Sequence, residues 1–303
     1  MSEPVSPDER RKLVWARVYL QLLHYAVPDS RFNLDFLSFT PDFRNSSAAI
    51  EHVADLLCYK SAKTVLVTSD NSLEQLRYRA LRDGKKLLVA TYRLRRGFVL
   101  LDPARISEDR YELAACLDGM EKSGHCQSIT LAKLRDDGLS VDMCVTGALA
   151  ISEQGIVIWE GHALFEVQWA LLHDIGVLSA QAPVVAVAHM CQVVAEAQLE
   201  IDPFKPDKAG EVQCDFVVTP EKVLAVDDAL KPVGGIDFDK VDPQALNNIP
   251  PLQELKGIRM MEQIMRSSGF GTNVKEDPKP QPPSAEEQMG IDIIENLMKG
   301  YKT

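Results

Sequence analysis

The sequence lacks any long hydrophobic run. Its longest apolar stretches, Ala182–Val187 and Val141–Ile151, are far shorter than the roughly 20 residues that a membrane-spanning helix needs. Residues 1–11 mix acidic and basic side chains and have no apolar centre of the kind found in secretion signals. We therefore expect no membrane partner and no secretion.

Paired cysteine motifs are also absent. The six cysteines are scattered, none of them in a Cys-x-x-Cys pair, and most have apolar neighbours. This pattern favours buried reduced thiols over a disulfide or zinc framework. Because reduced thiols are typical of the cytosol, we expect a cytoplasmic protein.

The chain has no excess of positive charge. It has 33 basic and 44 acidic residues, which give a formal net charge of -11. Nonspecific binding of nucleic acids depends on Lys and Arg side chains that displace counterions from phosphates. Despite a local basic patch at Arg93, Arg95 and Arg96, we expect a small-molecule ligand and no nucleic acid as the partner.

Apolar strands alternate with amphipathic helices in the first third of the chain. Residues Thr64–Thr68 predict a buried strand, Ser72–Asp83 a helix and Lys86–Thr91 a second buried strand. A β-α-β succession is typical of a mostly parallel sheet covered by helices. Ligands then bind at the carboxyl ends of the strands, where Asp70 falls.

Further segments with the same two periodicities complete the predicted α/β fold. Apolar residues at helical spacing predict a helix from Pro7 to about Val27, a helix over Phe165–Ile175 and a helix capped by Ser46 or Ser47. The other predicted strands are Gly97–Leu101, Gln127–Leu131, Val141–Ile151, Ile156–Trp159, Val184–Ala188 and Asp215–Val218.

We expect four consecutive segments. An α/β domain over residues 1–235 is followed by a helical extension, 236–270, that packs on it. Residues 271–283 are a proline-rich linker, and residues 284–303 start with a capping-box sequence and carry an apolar stripe at helical spacing. That last helix docks on its own domain, binds a partner or a second copy to form a homodimer, or stays mostly disordered.

Short sequences along the chain have a familiar order and spacing, although none is specific by itself. They are Arg11–Trp15, Pro41–Phe43, Leu76–Lys85, Tyr92–Leu94, Gly97–Pro103, Val141–Asp142 with Gly147, His189 with Gln192–Val194, and Asp215–Pro220. Over about residues 10–255 the chain thereby resembles the 5-formyltetrahydrofolate cyclo-ligase family, especially its branch of methenyltetrahydrofolate synthetase domain-containing proteins.

The resemblance implies three layers around a mixed, mostly parallel sheet, as in the superfamily that includes ribose-phosphate isomerases and CoA transferases. It also implies an ATP- and magnesium-dependent closure of 5-formyltetrahydrofolate to 5,10-methenyltetrahydrofolate. In that reaction the formyl oxygen is phosphorylated, the neighbouring nitrogen attacks and phosphate leaves. The residues expected to contact substrate are Phe43, Arg93, Gly147 and Gln192, and those expected to contact phosphate or another anion are Arg11, Arg77 and Gly161.

The nucleotide-binding segment departs from the family's pattern, Gly-x-Arg-x-Gly-Lys-Gly-x-Gly-Tyr-x-Asp. In that pattern glycines let backbone N–H groups approach phosphate, the cations balance its charge and the aspartate serves magnesium. This chain reads Gly-Ile-Val-Ile-Trp-Glu-Gly-His-Ala-Leu-Phe-Glu, and only Gly155 and Gly161 match. Glu160 replaces the lysine, and Glu166 takes the aspartate position as the candidate metal ligand.

The exchange of lysine for Glu160 changes the local charge by two units. At about 4 Å and an effective dielectric constant near 20, each unit is worth about 4 kcal/mol. Trp159, which replaces a glycine, also fills volume that the family leaves free. We therefore expect that the ATP-dependent step is lost.

Four residues are candidates for acid–base catalysis. Glu160, His162 and Glu166 lie within seven residues of sequence, and His189 falls at another strand end. Carboxylates and imidazoles in an apolar cleft have shifted pKa values and act as general acids and bases. His162 and Glu166 would also hold a divalent metal if their stretch is helical. The alternatives are solvated surface for the first three and a core position for His189.

The sequence supports three functional hypotheses. In the first, the protein keeps a pocket for a folate-like or other anionic small molecule, loses the standard ATP site and is repurposed for acid–base chemistry or ligand binding. In the second, it is an active cyclo-ligase that uses ATP and magnesium, with Arg11, Arg77 or Arg93 supplying the missing positive charge. In the third, it is a non-catalytic protein that binds partners through helix 284–303.

Overall fold

The computed structural model describes residues 7–122, 127–195, 204, 211–232 and 234–267. The chain divides into two units, Met1–Gln253 and Glu254–Thr303. The predicted linker 271–283 and the predicted helix 284–303, with its homodimer contact, lie outside the described residues. The predicted boundaries at residues 235 and 270 stay predictions.

Helices and strands alternate through the described residues. The α-helices are α1 (Pro7–Tyr25), α2 (Ser46–Asp55), α3 (Leu57–Ser61), α4 (Glu74–Arg82), α5 (Tyr111–Ala115), α6 (Leu117–Lys122), α7 (Leu131–Asp136), α8 (Phe165–Asp174), α9 (Pro243–Asn248) and α10 (Pro250–Ser267). The strands are β1 (Ala26–Val27), β2 (Asp42–Phe43), β3 (Thr64–Val67), β4 (Lys86–Ala90), β5 (Phe98–Leu101), β6 (Gln127–Ile129), β7 (Met143–Gly147), β8 (Ala150–Ser152), β9 (Val157–Trp159), β10 (Val184–Val187), β11 (Val193–Val194), β12 (Phe216–Val218) and β13 (Val223–Ala225). Among these helices none is both long and apolar enough to cross a membrane.

The large sheet has eight strands in the order β13-β12-β10-β7-β3-β4-β5-β6. Its five neighbouring strands β12, β10, β7, β3 and β4 run parallel. The outer strands β13, β5 and β6 pair antiparallel. The prediction of a mixed, mostly parallel sheet in an α/β fold is confirmed.

The central strands are continuous apolar runs because both of their faces are covered. Every residue of β3, β7 and β10 is buried. Strands of a parallel sheet with helices on both faces read as unbroken runs of Val, Ile and Leu. Ile50 of α2 and Leu76 of α4 share one hydrophobic core with Val65 and Val145 of the sheet. The core thus forms between these helices and the parallel strands.

The predicted strand Val141–Ile151 is wrong as a single element. β7 ends at Gly147 in the large sheet, whereas β8 starts at Ala150 in a second sheet of order β11-β8-β9. The chain changes sheet because Leu149 N–H donates to the backbone oxygen of Trp159, in the strand that pairs with β8. Gly147 therefore lies at the carboxyl end of a central parallel strand.

Two further local predictions are corrected. The strand predicted over Gln127–Leu131 ends at Ile129, because the Thr130 side chain accepts the N–H of Lys133 and caps α7. Neither Ser46 nor Ser47 caps α2. The N-cap residue is Asn45, whose φ of 63° is left-handed, a conformation that Asn tolerates better than most residues.

The cysteines that the structure describes are unpaired, as the sequence predicts. Cys58, Cys116, Cys144, Cys191 and Cys214 are free thiols, while Cys126 lies outside the described residues. Burial raises the pKa of Cys191 and of Cys214 to about 12. Both therefore stay protonated at neutral pH, which makes them poor nucleophiles.

Stacked aromatic rings fix α1 to the second sheet. The rings of Trp15 and Trp159 stack with centroids 5.7 Å apart and an interplanar angle of 9°. Tyr19 and Phe36 pack against the same Trp15 ring. Aromatic pairs contribute about 0.5–1.5 kcal/mol beyond their buried area. Trp159, which replaces a glycine of the family pattern, is therefore held in a cluster of rings.

A fully buried arginine binds the turn that follows β3. Arg77 of α4 donates from Nε to Ala115 O (2.7 Å) and from Nη1 to Thr68 O (2.8 Å) and Asp70 O (3.0 Å). Burial lowers the pKa of its guanidinium to about 10, so the side chain stays charged at neutral pH. The three carbonyl acceptors offset part of the cost of burying this charge, while Nη2 has no hydrogen-bond partner among the described residues.

Replacement of Arg77 by methionine keeps a long side chain but removes the donor to three buried carbonyl groups. We expect Arg77→Met to lower the free energy of unfolding by about 3–5 kcal/mol, measured by urea denaturation. Arg79→Met is the control, because Arg79 lies on the same helix but forms exposed ion pairs with Glu51 and Asp83. It should cost less than about 1 kcal/mol. Equal losses in the two variants would contradict this role of Arg77.

Candidate functional site

A cavity of about 110 Å³ lies at the carboxyl end of β7, beside the first turn of α8. Its lining includes Arg11, Thr146, Gly147, Glu160, Phe165 and Glu166. The fold thus brings together four residues that the sequence selected: Arg11 from α1, Gly147 from β7, Glu160 from the segment before α8, and Glu166 from α8. We refer to this space as the β7 cavity.

Asp70 holds the backbone at the wall of the β7 cavity. This residue is fully buried, and its Oδ2 accepts hydrogen bonds from Gly147 N–H (3.0 Å) and from the Thr68 hydroxyl. A Cβ on residue 147 would lie 3.0 Å from the same carboxylate, so a larger residue would push Asp70 away. The position of Gly147 is therefore set by a carboxylate behind the cavity wall.

Glu160 places its carboxyl group at the amino end of α8. The N-cap residue of this helix, Leu164, has a φ of 55° and no side-chain hydrogen bond to the helix. The first N–H groups of a helix have no partner within it, and Glu160 accepts one of them, the N–H of Phe165. A side chain of the chain itself therefore fills the anion-binding end of this helix.

Burial also controls the protonation of Glu160. Burial raises the pKa of this carboxyl from 4.5 to about 8. The nearby negative charges of Glu166 and Asp70 act in the same direction, whereas the hydrogen bond from Phe165 N–H lowers the pKa. Most Glu160 side chains are therefore protonated at neutral pH. A carboxyl group in this state is suited to general acid catalysis.

Arg11 is the one basic residue among the described lining residues of the β7 cavity. Its Nη2 lies 2.8 Å from Glu211 Oε1, and Glu211 also lines the cavity. Its positive charge is thus matched by a carboxylate, while Glu160 and Glu166 add two more acidic groups. A phosphate would meet more negative than positive side chains here, which opposes its binding.

His162 lies close to the β7 cavity but is not one of its lining residues. Its ring stacks on Tyr92 with centroids 4.9 Å apart, and its Nδ1 accepts the N–H of Thr40 at 3.2 Å. Burial lowers the pKa of His162, so the imidazole is neutral at neutral pH. The ring is held inside the protein, which excludes the solvated-surface alternative for this residue.

The metal pair suggested by the sequence does not form. His162 and Glu166 share no helix face, because α8 begins at Phe165 and His162 precedes it. In the described ranges no group of three or more His, Cys, Asp and Glu side chains is arranged to hold a metal ion. Glu166 as a metal ligand stays a prediction.

The two glycines that match the family pattern are required by packing of this chain. A Cβ on Gly161 would overlap Thr40 Oγ1, and a Cβ on Gly155 would overlap the backbone oxygen of Cys214. Gly155 also has a φ of +75°, a conformation that glycine adopts at little cost. Their presence is therefore explained without a bound nucleotide.

His189, Gln192 and Phe43 form a separate group that does not line the β7 cavity. His189 Nδ1 accepts the N–H of Cys191 (3.2 Å), while Gln192 Oε1 accepts the N–H of His189 (2.7 Å). The His189 ring stacks on Tyr25 at 4.1 Å and meets the Phe43 ring edge-on at 5.7 Å. Burial lowers the pKa of His189. These contacts stabilise the turn after β10.

The remaining predicted anion contacts also lie outside the cavity lining. Arg93, in a left-handed conformation with a φ of 52°, packs over the Tyr92 ring at 5.4 Å and donates to Leu37 O at 3.3 Å. Arg77 is fully buried and binds backbone carbonyls. Substrate contacts of Arg93, and anion contacts of Arg77, stay predictions.

Three residues near the site were not among those chosen from the sequence. Asp70 follows β3 and Tyr92 follows β4. Both residues could have been predicted near the site because ligands bind at the carboxyl edge of a parallel sheet. Nothing in the sequence indicates a role for Thr40. Its N–H donates to His162 Nδ1, although the two residues are 122 positions apart in the chain. Such a contact depends on how the loops pack above the sheet.

Fold and cavity together define the class: an α/β protein with a mostly parallel sheet and a cavity at the carboxyl ends of its strands. Residues 9–220 match the model of the 5-formyltetrahydrofolate cyclo-ligase family. Because this match covers more than half of the sequence, the chain belongs to that family, and the resemblance seen in the sequence is confirmed.

Relatives of the chain include methenyltetrahydrofolate synthase domain-containing proteins. The protein of Bos taurus is 30% identical over 220 residues, which cover 71% of this chain and 54% of the relative. That of Homo sapiens is 28% identical over 218 residues, with 71% and 54% covered. The chain thus spans about half the length of the curated relatives it matches.

Solved structures similar to the chain include two 5,10-methenyltetrahydrofolate synthetases. The NMR structure of the Aquifex aeolicus protein is 14% identical with a TM-score of 0.42, and the match covers 75% of this chain and 98% of that one. The Mycoplasma pneumoniae protein is 9% identical with a TM-score of 0.37, covering 71% and 99%. With both TM-scores below 0.5, the family assignment depends on the sequence match.

The raised pKa of Glu160 predicts a pH-dependent stability. A carboxyl whose pKa is higher in the folded state stabilises that state at low pH, and this contribution is lost as the pH rises from about 4.5 to about 8. Each unit of pKa difference corresponds to about 1.4 kcal/mol. We expect wild-type protein to lose at least about 1.4 kcal/mol more than Glu160→Gln between about pH 5 and about pH 8, measured by urea denaturation.

Glutamine suits this comparison because its amide oxygen still accepts the Phe165 N–H but the side chain cannot ionise. Glu153→Gln, at an exposed position outside the β7 cavity, is the matched control and should follow the wild-type pH profile. Parallel profiles for wild type and Glu160→Gln would mean that Glu160 titrates as an ordinary carboxyl.

Proposed function

We propose that the β7 cavity binds a small molecule and that this chain no longer performs the ATP-dependent cyclo-ligase step of its family. One observation carries the proposal: the carboxyl group of Glu160 accepts the Phe165 N–H at the amino end of α8. A lysine stands at this position in the family pattern, beside glycines that let backbone N–H groups approach phosphate. Here a carboxyl oxygen takes the place of a phosphate oxygen.

The residues present do not fit a nucleotide with magnesium. The amino end of a helix binds phosphate through unpaired N–H groups, and Glu160 already uses one of them. Trp159 stands where the family pattern has a glycine, and its ring is stacked on Trp15. The ring therefore cannot move aside for a nucleotide without breaking that contact.

The β7 cavity is suited to acid–base chemistry on a small ligand. Glu160 is protonated at neutral pH, and Glu166 lines the same space. Two carboxyl groups in different surroundings divide the roles of acid and base. Family membership supports a folate-like or other small organic ligand, with Glu160 donating a proton to it.

Purified protein supplied with ATP and magnesium should neither bind ATP measurably nor convert 5-formyltetrahydrofolate. In Glu160→Lys the α8 amino end loses its carboxyl group, and the local charge rises by about one unit because most Glu160 side chains are already protonated at neutral pH. We therefore expect this variant to bind ATP at least about tenfold more tightly than wild type, since a tenfold gain needs only about 1.4 kcal/mol. Isothermal titration calorimetry measures both affinities.

Glu153→Lys is the control, because it also replaces a glutamate by lysine but at an exposed position outside the β7 cavity. It should leave ATP binding as weak as in wild type. Conversion of 5-formyltetrahydrofolate by the wild-type protein, coupled to ATP hydrolysis, would contradict the proposal and establish the active cyclo-ligase instead.

A further inference from the structure

Three exposed methionines lie within six residues on α10. Met260, Met261 and Met265 are 54%, 52% and 50% exposed, and Ile258 and Ile264 are half-buried beside them. In the part of the chain that the structure describes, no other run of six residues exposes three large apolar side chains. Clustered apolar side chains at a surface mark an interaction site, whereas scattered ones do not.

The spacing of these side chains places them on one face of α10. Ile258, Met261 and Met265 follow one another at intervals of three and four residues, which are neighbours on a helix, and Met260 and Ile264 flank them. Leu252 and Leu255 are buried on another side of the same helix. We refer to the five residues 258, 260, 261, 264 and 265 as the methionine face. Its flexible thioether side chains adapt to the apolar stripe of a partner helix.

The sequence that follows α10 contains a segment with a matching apolar stripe. If residues 284–303 are helical, as their pattern predicts, one side of the helix carries Met289, Ile293, Ile294, Leu297 and Met298, and the other carries Gln288, Asp292, Glu295 and Lys299. At 1.5 Å per residue this stripe is about 14 Å long, and the methionine face is about 11 Å long. The two apolar surfaces therefore match in length.

The sequence between the two surfaces is long enough to bring them together. Residues 268–283 separate α10 from the predicted helix, and a linker of this length has an average end-to-end distance of about 20–25 Å. The methionine face begins about 14 Å back along α10 from its last residue, Ser267. The linker therefore reaches any point of the face.

Tethering also favours this segment over a second copy of the chain. A short flexible linker gives a tethered segment an effective concentration in the millimolar range, which exceeds the usual micromolar concentration of a protein. The methionine face and residues 284–303 also belong to the same unit of the chain, Glu254–Thr303. The chain's own segment is thus the favoured occupant of the face.

We propose that residues 284–303 form an amphipathic helix whose apolar stripe packs on the methionine face of α10 in the same chain. The methionine face contributes no residue to the described lining of the β7 cavity, and it follows the residues that match the family model, 9–220. The inference therefore does not depend on the proposed function, and its test involves no ligand.

Oxidation of the methionines by hydrogen peroxide tests the contact in the full chain, because mass spectrometry measures the accessibility of each thioether. Ile293→Asp places a charge in the apolar stripe, where its burial is costly. We expect Met261 and Met265 to oxidise at least about threefold more slowly in wild type than in this variant. Met143, fully buried in β7, should resist oxidation in both proteins and shows that the fold is intact.

Gln288→Asp is the matched control, because it adds the same charge on the polar side of the predicted helix. It should keep the wild-type protection, and this protection should be equal at about 1 µM and about 100 µM protein, since a tethered contact does not depend on concentration. Equal oxidation in wild type and Ile293→Asp, or equal loss of protection in Gln288→Asp, would overturn the proposal. Protection that increases with concentration would overturn it in favour of a second copy.

A reciprocal experiment changes α10 and observes the segment. Amide hydrogen exchange of residues 289–298, measured by mass spectrometry, should be at least about tenfold faster in Met261→Asp than in wild type, because a short helix without packing is marginally stable. Gln263→Asp adds the same charge at an exposed position on the opposite side of α10 and should leave this exchange unchanged. Exchange in wild type as fast as in Met261→Asp would contradict the contact.

Discussion

Buried Arg77 donates to the backbone oxygens of Thr68 and Asp70, and the Asp70 carboxylate in turn accepts the N–H of Gly147. This chain of hydrogen bonds joins α4, the turn after β3 and the end of β7. A buried charge is tolerated only when its partners are in place, so these three elements are held in one arrangement. The wall of the β7 cavity and the position of the Thr40–His162 pair both depend on it.

The β7 cavity has a carboxyl group at the amino end of a helix, a position that favours anions. The amino end of α8 still presents backbone N–H groups, but Leu164 cannot cap it and Glu160 does so instead. The same carboxyl is mostly protonated at neutral pH because it is buried near other acids. One side chain thus caps the helix and supplies an acid.

Much of the fold could be predicted from local sequence. The buried runs that form β3, β4 and β10 and the amphipathic pattern of α4 depend on side chains close together in the chain. The exceptions have physical causes: the hydrogen bond of Leu149 to Trp159 splits the predicted strand Val141–Ile151, and Thr130 ends another strand by capping a helix. Both depend on contacts that no periodicity records.

The sequence by itself determined the family and the mostly parallel sheet and singled out Glu160, because residue type and spacing carry that information. Only the tertiary structure decided where these residues act. It buried Arg77 against carbonyl groups, moved His189 and Gln192 into a turn of their own, and brought Thr40 to His162 across 122 residues. Burial and hydrogen-bond partners set the charge and the role of a polar side chain, and both are defined only after the chain has packed.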